Sequence, residues 1–153
     1  MNPGTTNGYV PRLLFGVVVL AVMGTARGTA ALGQSATSVW DGVYTEAQAQ
    51  KGEAVYFAHC VTCHGEDFAG REQAPALAGL AFMEKWNRAT VRKLLEKVEQ
   101  MPPTQPKSLP AQDYVDAVAY LLSVNELPAG PSALPNDRAA LGRIEIKNVK
   151  PQK

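Results

Sequence analysis

The residues best able to bind a metal or bond covalently to a cofactor lie in one short run, His59-Cys60-Val61-Thr62-Cys63-His64. The chain has 2 cysteines and 2 histidines, and all of them are here. A C-x-x-C pair can be a thioredoxin-like redox centre, but that needs a βαβ setting and no strand pattern precedes Cys60. Zinc sites use separated ligand pairs, and His59 and His64 flank the cysteines too tightly for that. A Cys60–Cys63 disulfide would close a very small loop. The remaining chemistry fits the spacing: C-x-x-C-H is the attachment pattern of c-type haem. Two thiols three positions apart can bond to the two vinyl groups on one edge of a porphyrin. The histidine directly after the second thiol then lies beneath the iron and can ligate it.

An iron held from one side by His64 needs a second axial donor. The sulfur and imidazole candidates are Met1, Met23, Met83, Met101 and His59. Met1 and Met23 fall in an N-terminal leader, and His59 leaves its helix beside Cys60, badly placed for the opposite haem face. Met83 falls in a short apolar helix, where methionine commonly fills core space. Met101 stands at a helix end directly before Pro102-Pro103, which deny it a helical continuation and stiffen the loop. That presents a thioether with little freedom left to lose; the competing reading makes Met101 the last apolar contact of its helix.

The positioning elements are legible as helices. Thr45 and Gln48 form a capping-box pattern. Gly52, Val55, Tyr56 and His59 follow at i, i+3, i+4 and i+7, so this helix delivers the chain to Cys60. Gly65, Gly70, Pro75 and Gly79 punctuate a loop. A short helix covers Leu80 to Trp86. Thr90 caps another, with Val91, Leu94, Leu95 and Val98 as its stripe. A further helix runs from about Ala111 to Ser123, with Val115, Val118, Ala119 and Leu122 on one face. Ser35 to Tyr44 reads as an irregular lead-in. After Asn125 comes a tail with an alternating run from Leu141 to Val149, either wrapped on the domain, docked on a partner, or held loosely as a surface strand.

Arg12, the apolar run Leu13–Met23 and the small residues through Ala36 have the make-up of a secretory signal. The run is shorter than the roughly 20 residues of a membrane span. We expect a leader at 1–33 with cleavage between 30 and 36, a lead-in at 34–44, the functional domain at 45–125 and an extended tail at 126–153. The expected location is the periplasm, with no stable membrane span after cleavage. The window holds no cysteine, which argues against a lipid anchor there. The 153-residue chain carries 15 Lys+Arg against 14 Asp+Glu, a balance that argues against nucleic acid as a partner.

These residues resemble class I, mono-haem c-type cytochromes over roughly Thr45 to Val124. The resemblance implies an all-α, small cytochrome c fold of three to five short helices around one covalent haem c. It implies Cys60 and Cys63 as attachment points, His64 as proximal and Met101 as distal iron ligand. The stretch Ala74-Pro75-Ala76-Leu77-Ala78-Gly79 is similar to the family's proline loop, so the Pro75 carbonyl would accept a hydrogen bond from His64 and tune its donor strength. The first and last helices would cross with Gly52 against Tyr120. Trp86 resembles an aromatic near the haem propionates, with core packing as the other reading. Pro110 departs from the Ser or Asp cap common in the family.

The flanks Ser38–Thr45 and Asn125–Gly130 resemble bacterial cytochromes associated with quinoprotein dehydrogenases. The expected function is therefore one-electron transfer, not an enzyme's turnover. Its partners would be redox proteins: a quinoprotein dehydrogenase as donor, and a terminal oxidase or another cytochrome as acceptor. If Met101 does not ligate, the iron has an open position, and a haem enzyme or a gas or peroxide sensor becomes the alternative.

Overall fold

The computed structural model describes residues 37–152 and Met1; the expected leader and its cleavage window lie outside the described residues. The first helix, α1 (Glu46–His59), starts where the capping pattern places it, with the Thr45 hydroxyl accepting from the Gln48 backbone N–H at 3.2 Å. The Gln48 side chain does not complete the box. Its amide is buried and donates instead to Asp116 at 3.0 Å and to the Leu134 carbonyl at 3.1 Å, while its oxygen accepts from Leu134 N–H at 2.7 Å. A single turn, α2 (Val61–His64), follows directly.

The chain then forms α3 (Gly79–Trp86), α4 (Val91–Val98) and α5 (Ala111–Val124). Thr90 caps α4 as predicted, through its hydroxyl and Lys93 N–H. Pro110 precedes α5 with no side-chain cap; a proline there takes up a position whose N–H has no helical partner. A last turn, α6 (Arg138–Leu141), is capped by Asp137. The described residues are all-helical, with isolated bridges in place of strands. The architecture is that of a small cytochrome c fold, with two single turns beyond the expected helices. No helix among the described residues is long and apolar enough to cross a membrane.

The dominant packing is α1 against α5. Gly52 makes the close approach: a Cβ there would run into the Asp116 carbonyl and sit 2.9 Å from Cβ of Tyr120. The core lies mostly on the other flank of α5. Val115, Val118, Ala119 and Leu122 pack with Leu94 and Leu95 of α4 and with Phe82 and Met83 of α3. Trp86 packs on the same core, its ring 6.3 Å from that of Phe82.

Two segments carry more structure than the sequence suggests. The lead-in contains a 3-10 turn, Val39–Asp41, with a complete capping box between Ser38 and Asp41. The tail is not a loosely held strand. Leu127, Leu134, Leu141, Ile144 and Ile146 are all buried. Residues 144–146 thread between the lead-in and the α3–α4 connection. Val39 N–H donates to the Glu145 carbonyl and Glu145 N–H to that of Thr37; Val91 N–H donates to the carbonyl of Ile144, and Ile146 N–H to that of Ala89. Trp40 Nε1 adds a 2.9 Å bond to the Lys147 carbonyl. Alternation suited this run to a sheet-like clip because its apolar side faces the core while its backbone is paired on both edges.

Candidate functional site

The end of α1 and the turn α2 place the sulfur and imidazole groups. Cys60 closes α1 with its N–H on the Tyr56 carbonyl at 2.8 Å. Its own carbonyl accepts from Cys63 and His64 N–H groups at 3.2 and 3.1 Å. The whole C-x-x-C-H run is thus one tight turn. Both thiols are free; Cys60 is half-buried and Cys63 exposed. Burial first, and then Cys63 beside it, push the Cys60 thiol up to about 11, so it is held protonated near neutral pH. Among the described residues no group of three or more His, Cys, Asp or Glu side chains is gathered to hold a bare metal ion.

The imidazole is oriented by the loop that follows. His64 Nδ1 lies 2.9 Å from the Pro75 carbonyl. A carbonyl only accepts, so Nδ1 carries a proton, and in the neutral ring Nε2 is then the nitrogen with the lone pair. That is the tautomer a metal-ligating histidine needs. The loop reaches His64 because Gly70, at φ +79, lets it double back. A Cβ on Gly70 would collide with the Ala74 carbonyl and come within 2.7 Å of the Pro75 carbonyl carbon. The Gly70 N–H donates to the His64 carbonyl at 3.0 Å and Leu77 N–H to that of Phe68 at 2.8 Å.

Asn125, at the end of α5, fastens the same loop. Its Nδ2 donates to the Leu77 carbonyl at 2.9 Å and to the Leu121 carbonyl at 2.7 Å. Its Oδ1 accepts from Gly79 N–H at 2.9 Å.

Met101 lines a pocket together with Cys60 of the attachment turn. The pocket is lined chiefly by apolar side chains: Val55, Val98, Leu109 and Ala117, with Cys60, Met101 and His59 at its edge. Met83 is elsewhere, buried among core residues. Tyr114 braces the Met101 segment: its hydroxyl accepts from Leu109 N–H at 3.2 Å and donates to the Met101 carbonyl at 3.4 Å. The structure thus joins His64 to Pro75 and gathers Cys60 with Met101. Two positioning residues, Asn125 and Tyr114, escaped the sequence reading. Their partners are backbone groups, which leave no mark on side-chain patterns; the nearest signal was Asn125 closing a strongly periodic helix.

Behind the turn, Tyr56 OH donates to the Gly65 carbonyl at 2.6 Å, and its ring packs with Phe57, Phe68 and Tyr120. The donor set suits a covalently attached haem: two unpaired thiols, an imidazole nitrogen with its lone pair free, a thioether and an apolar lining. Residues 47–121 match the protein family described as "Cytochrome C oxidase, cbb3-type, subunit III". No curated protein and no solved structure gives a significant match.

Proposed function

The chain carries a mono-haem c-type cytochrome domain with covalently bound haem c, and from that premise we propose that it is an exported, periplasmic one-electron carrier with His64 and Met101 as axial ligands. The observation that carries the reading is the His64–Pro75 hydrogen bond, which frees Nε2 in the same turn that holds Cys60 and Cys63. The pocket shared by Cys60 and Met101 supports the thioether as the second donor. Haem c supplies a single-electron couple at its iron.

The protein's part is to hold that couple. Cys60 and Cys63 anchor the porphyrin edge. Pro75 keeps the His64 proton on Nδ1 and increases the donor strength of Nε2. Met101 favours the reduced state and raises the potential, as does the apolar lining. With His64 and Met101 both bound to the iron, no coordination site would be open, and the protein would act as a carrier. It exchanges electrons with redox partner proteins through small, short-lived contacts near the exposed Cys63. The resemblance of the flanking segments supports a quinoprotein dehydrogenase as donor; a terminal oxidase or another cytochrome would then be the acceptor.

Absorption spectra and intact mass of the chain, made with a haem-attachment system, test this. We expect one added haem, a sharp reduced α-band and a weak far-red sulfur-to-iron band when oxidised. Met101→Ala abolishes the far-red band; Met83→Ala and His59→Ala keep it. Haem without that band would mean an open iron and an enzyme or sensor. No covalent haem would remove the reading altogether.

A further inference from the structure

We propose that Asn125 is a positioning residue for the proximal histidine: by bolting the Pro75 loop to the end of α5, it sets how strongly the Pro75 carbonyl polarises His64. This rests on His64 being an iron ligand. The starting point is that Pro75 is itself exposed and makes no other side-chain-to-backbone contact that would hold its carbonyl in place. Its position is inherited from the residues on either side. On one side Gly70 packs against the Ala74–Ala76 backbone. On the other, the Leu77 N–H donates to the Phe68 carbonyl within the loop, and one amide from outside the loop holds the Leu77 carbonyl and the Gly79 N–H.

That amide uses its full donor capacity and one acceptor. Both Nδ2 protons go to carbonyls, Leu77 and Leu121, and Oδ1 takes the Gly79 N–H. The orientation is fixed by its partners, since carbonyls cannot donate and an N–H cannot accept. Leu121 is buried on the core side of α5, whereas Leu77 and Gly79 belong to the loop. Asn125 therefore ties the loop to α5, the helix whose side chains run through the core. Among the described residues, every hydrogen bond between residues 74–79 and the end of α5 comes from this side chain.

The chemistry that follows has a sign. A hydrogen bond from Nδ1–H to a carbonyl makes the imidazole a stronger donor, and a stronger donor favours ferric iron. Loosening the Leu77–Gly79 anchor lengthens or breaks the His64–Pro75 bond part of the time. His64 then donates less, ferrous iron gains, and the reduction potential rises.

The experiment uses the holo-protein. Asn125→Ala and the milder Asn125→Ser are compared with Gln48→Ala, which unpins the tail at Leu134 and touches no residue of the loop. The two sites match in number of side-chain hydrogen bonds, three each, those of Gln48 being the more buried. Each variant is titrated spectroelectrochemically, and the deuterium exchange of His64 Nδ1–H is followed by NMR. We expect both Asn125 variants to keep the far-red band, shift the potential upward and exchange the Nδ1 proton faster than the unaltered protein. Gln48→Ala should lose stability with potential and exchange unmoved. An unmoved potential and exchange rate in the Asn125 variants, with haem and far-red band present, overturns this inference alone. An equal shift in Gln48→Ala also overturns it, as a general effect of loosening. Absence of covalent haem or of the far-red band in the unaltered chain overturns the ligation reading and this one with it.

Discussion

Tyr56 shows how one buried hydroxyl ties the attachment turn to its surroundings. It is 2% exposed, and its hydroxyl donates to the carbonyl of Gly65, the residue after His64. Burial, with smaller contributions from Cys60, Tyr120 and Asp67, pushes it from 10.0 up to about 12. The native state therefore holds this proton more tightly than the unfolded chain. The associated stability is fully present below about pH 10 and is lost as pH rises through about 12. Denaturation midpoints measured across that window should fall, and Tyr56→Phe should flatten the fall. The flattening will be partial, because burial also raises Tyr44 and Tyr120. At neutral pH the same variant should cost about 0.5–1.5 kcal/mol for the lost hydrogen bond. A midpoint curve identical to the unaltered protein's would exclude a buried, tightly held Tyr56 proton. At this scale the sequence was informative wherever chemistry resides in side-chain identity: cysteines, histidines and a methionine before two prolines are visible in one dimension. It was silent where a side chain acts on backbone groups, as Gln48, Tyr114 and Asn125 do.

Helices were the most legible elements, and the reason is local. Thr45 and Thr90 cap α1 and α4 through bonds spanning three residues, so the information sits inside the element. The crossing of α1 with α5 is different, since it depends on a missing side chain. Gly52 lies mid-helix, where glycine costs about 1 kcal/mol relative to alanine. Restoring a methyl would recover that amount in an isolated helix. Here it would meet the Asp116 carbonyl and the Tyr120 Cβ, one of them backbone that cannot swing away. We therefore expect Gly52→Ala to be net destabilising by about 1–3 kcal/mol, the usual range for overpacking. Urea unfolding of the holo-protein checks it; an unchanged or higher midpoint would mean the helices are not in contact at this point. The buried polar pair at the same interface is fully partnered: Asp116 accepts from Gln48 at 3.0 Å and from Gln112 at 2.7 Å. No buried side-chain polar atom among the described residues lacks a partner.

At the scale of the molecule, the tail changes how truncations must be read. From the sequence, deleting residues from Leu134 onward looks like a clean test of partner docking. In the structure that cut removes Leu134, Leu141, Ile144 and Ile146, all buried. At about 1.5–3 kcal/mol per fully buried aliphatic side chain, their loss rivals the net stability of a small domain, about 5–15 kcal/mol. We expect the truncated chain to melt tens of degrees lower or not to fold, as read by far-UV circular dichroism, whatever its partner binding. Melting within a few degrees of the full chain would show that the tail is dispensable. The tail's role was hidden because an alternating run announces that it wants a partner edge, not which one. Both edges lie far away in sequence. Trp40 reaches Lys147 across 107 positions, and the Val39 N–H donates to the Glu145 carbonyl. A chain made from its N-terminus must therefore carry its lead-in and α4 with one edge open until residues 144–146 arrive. The clip thus works as a drawstring, cinching the lead-in to the α3–α4 connection only once residues 144–146 have been made.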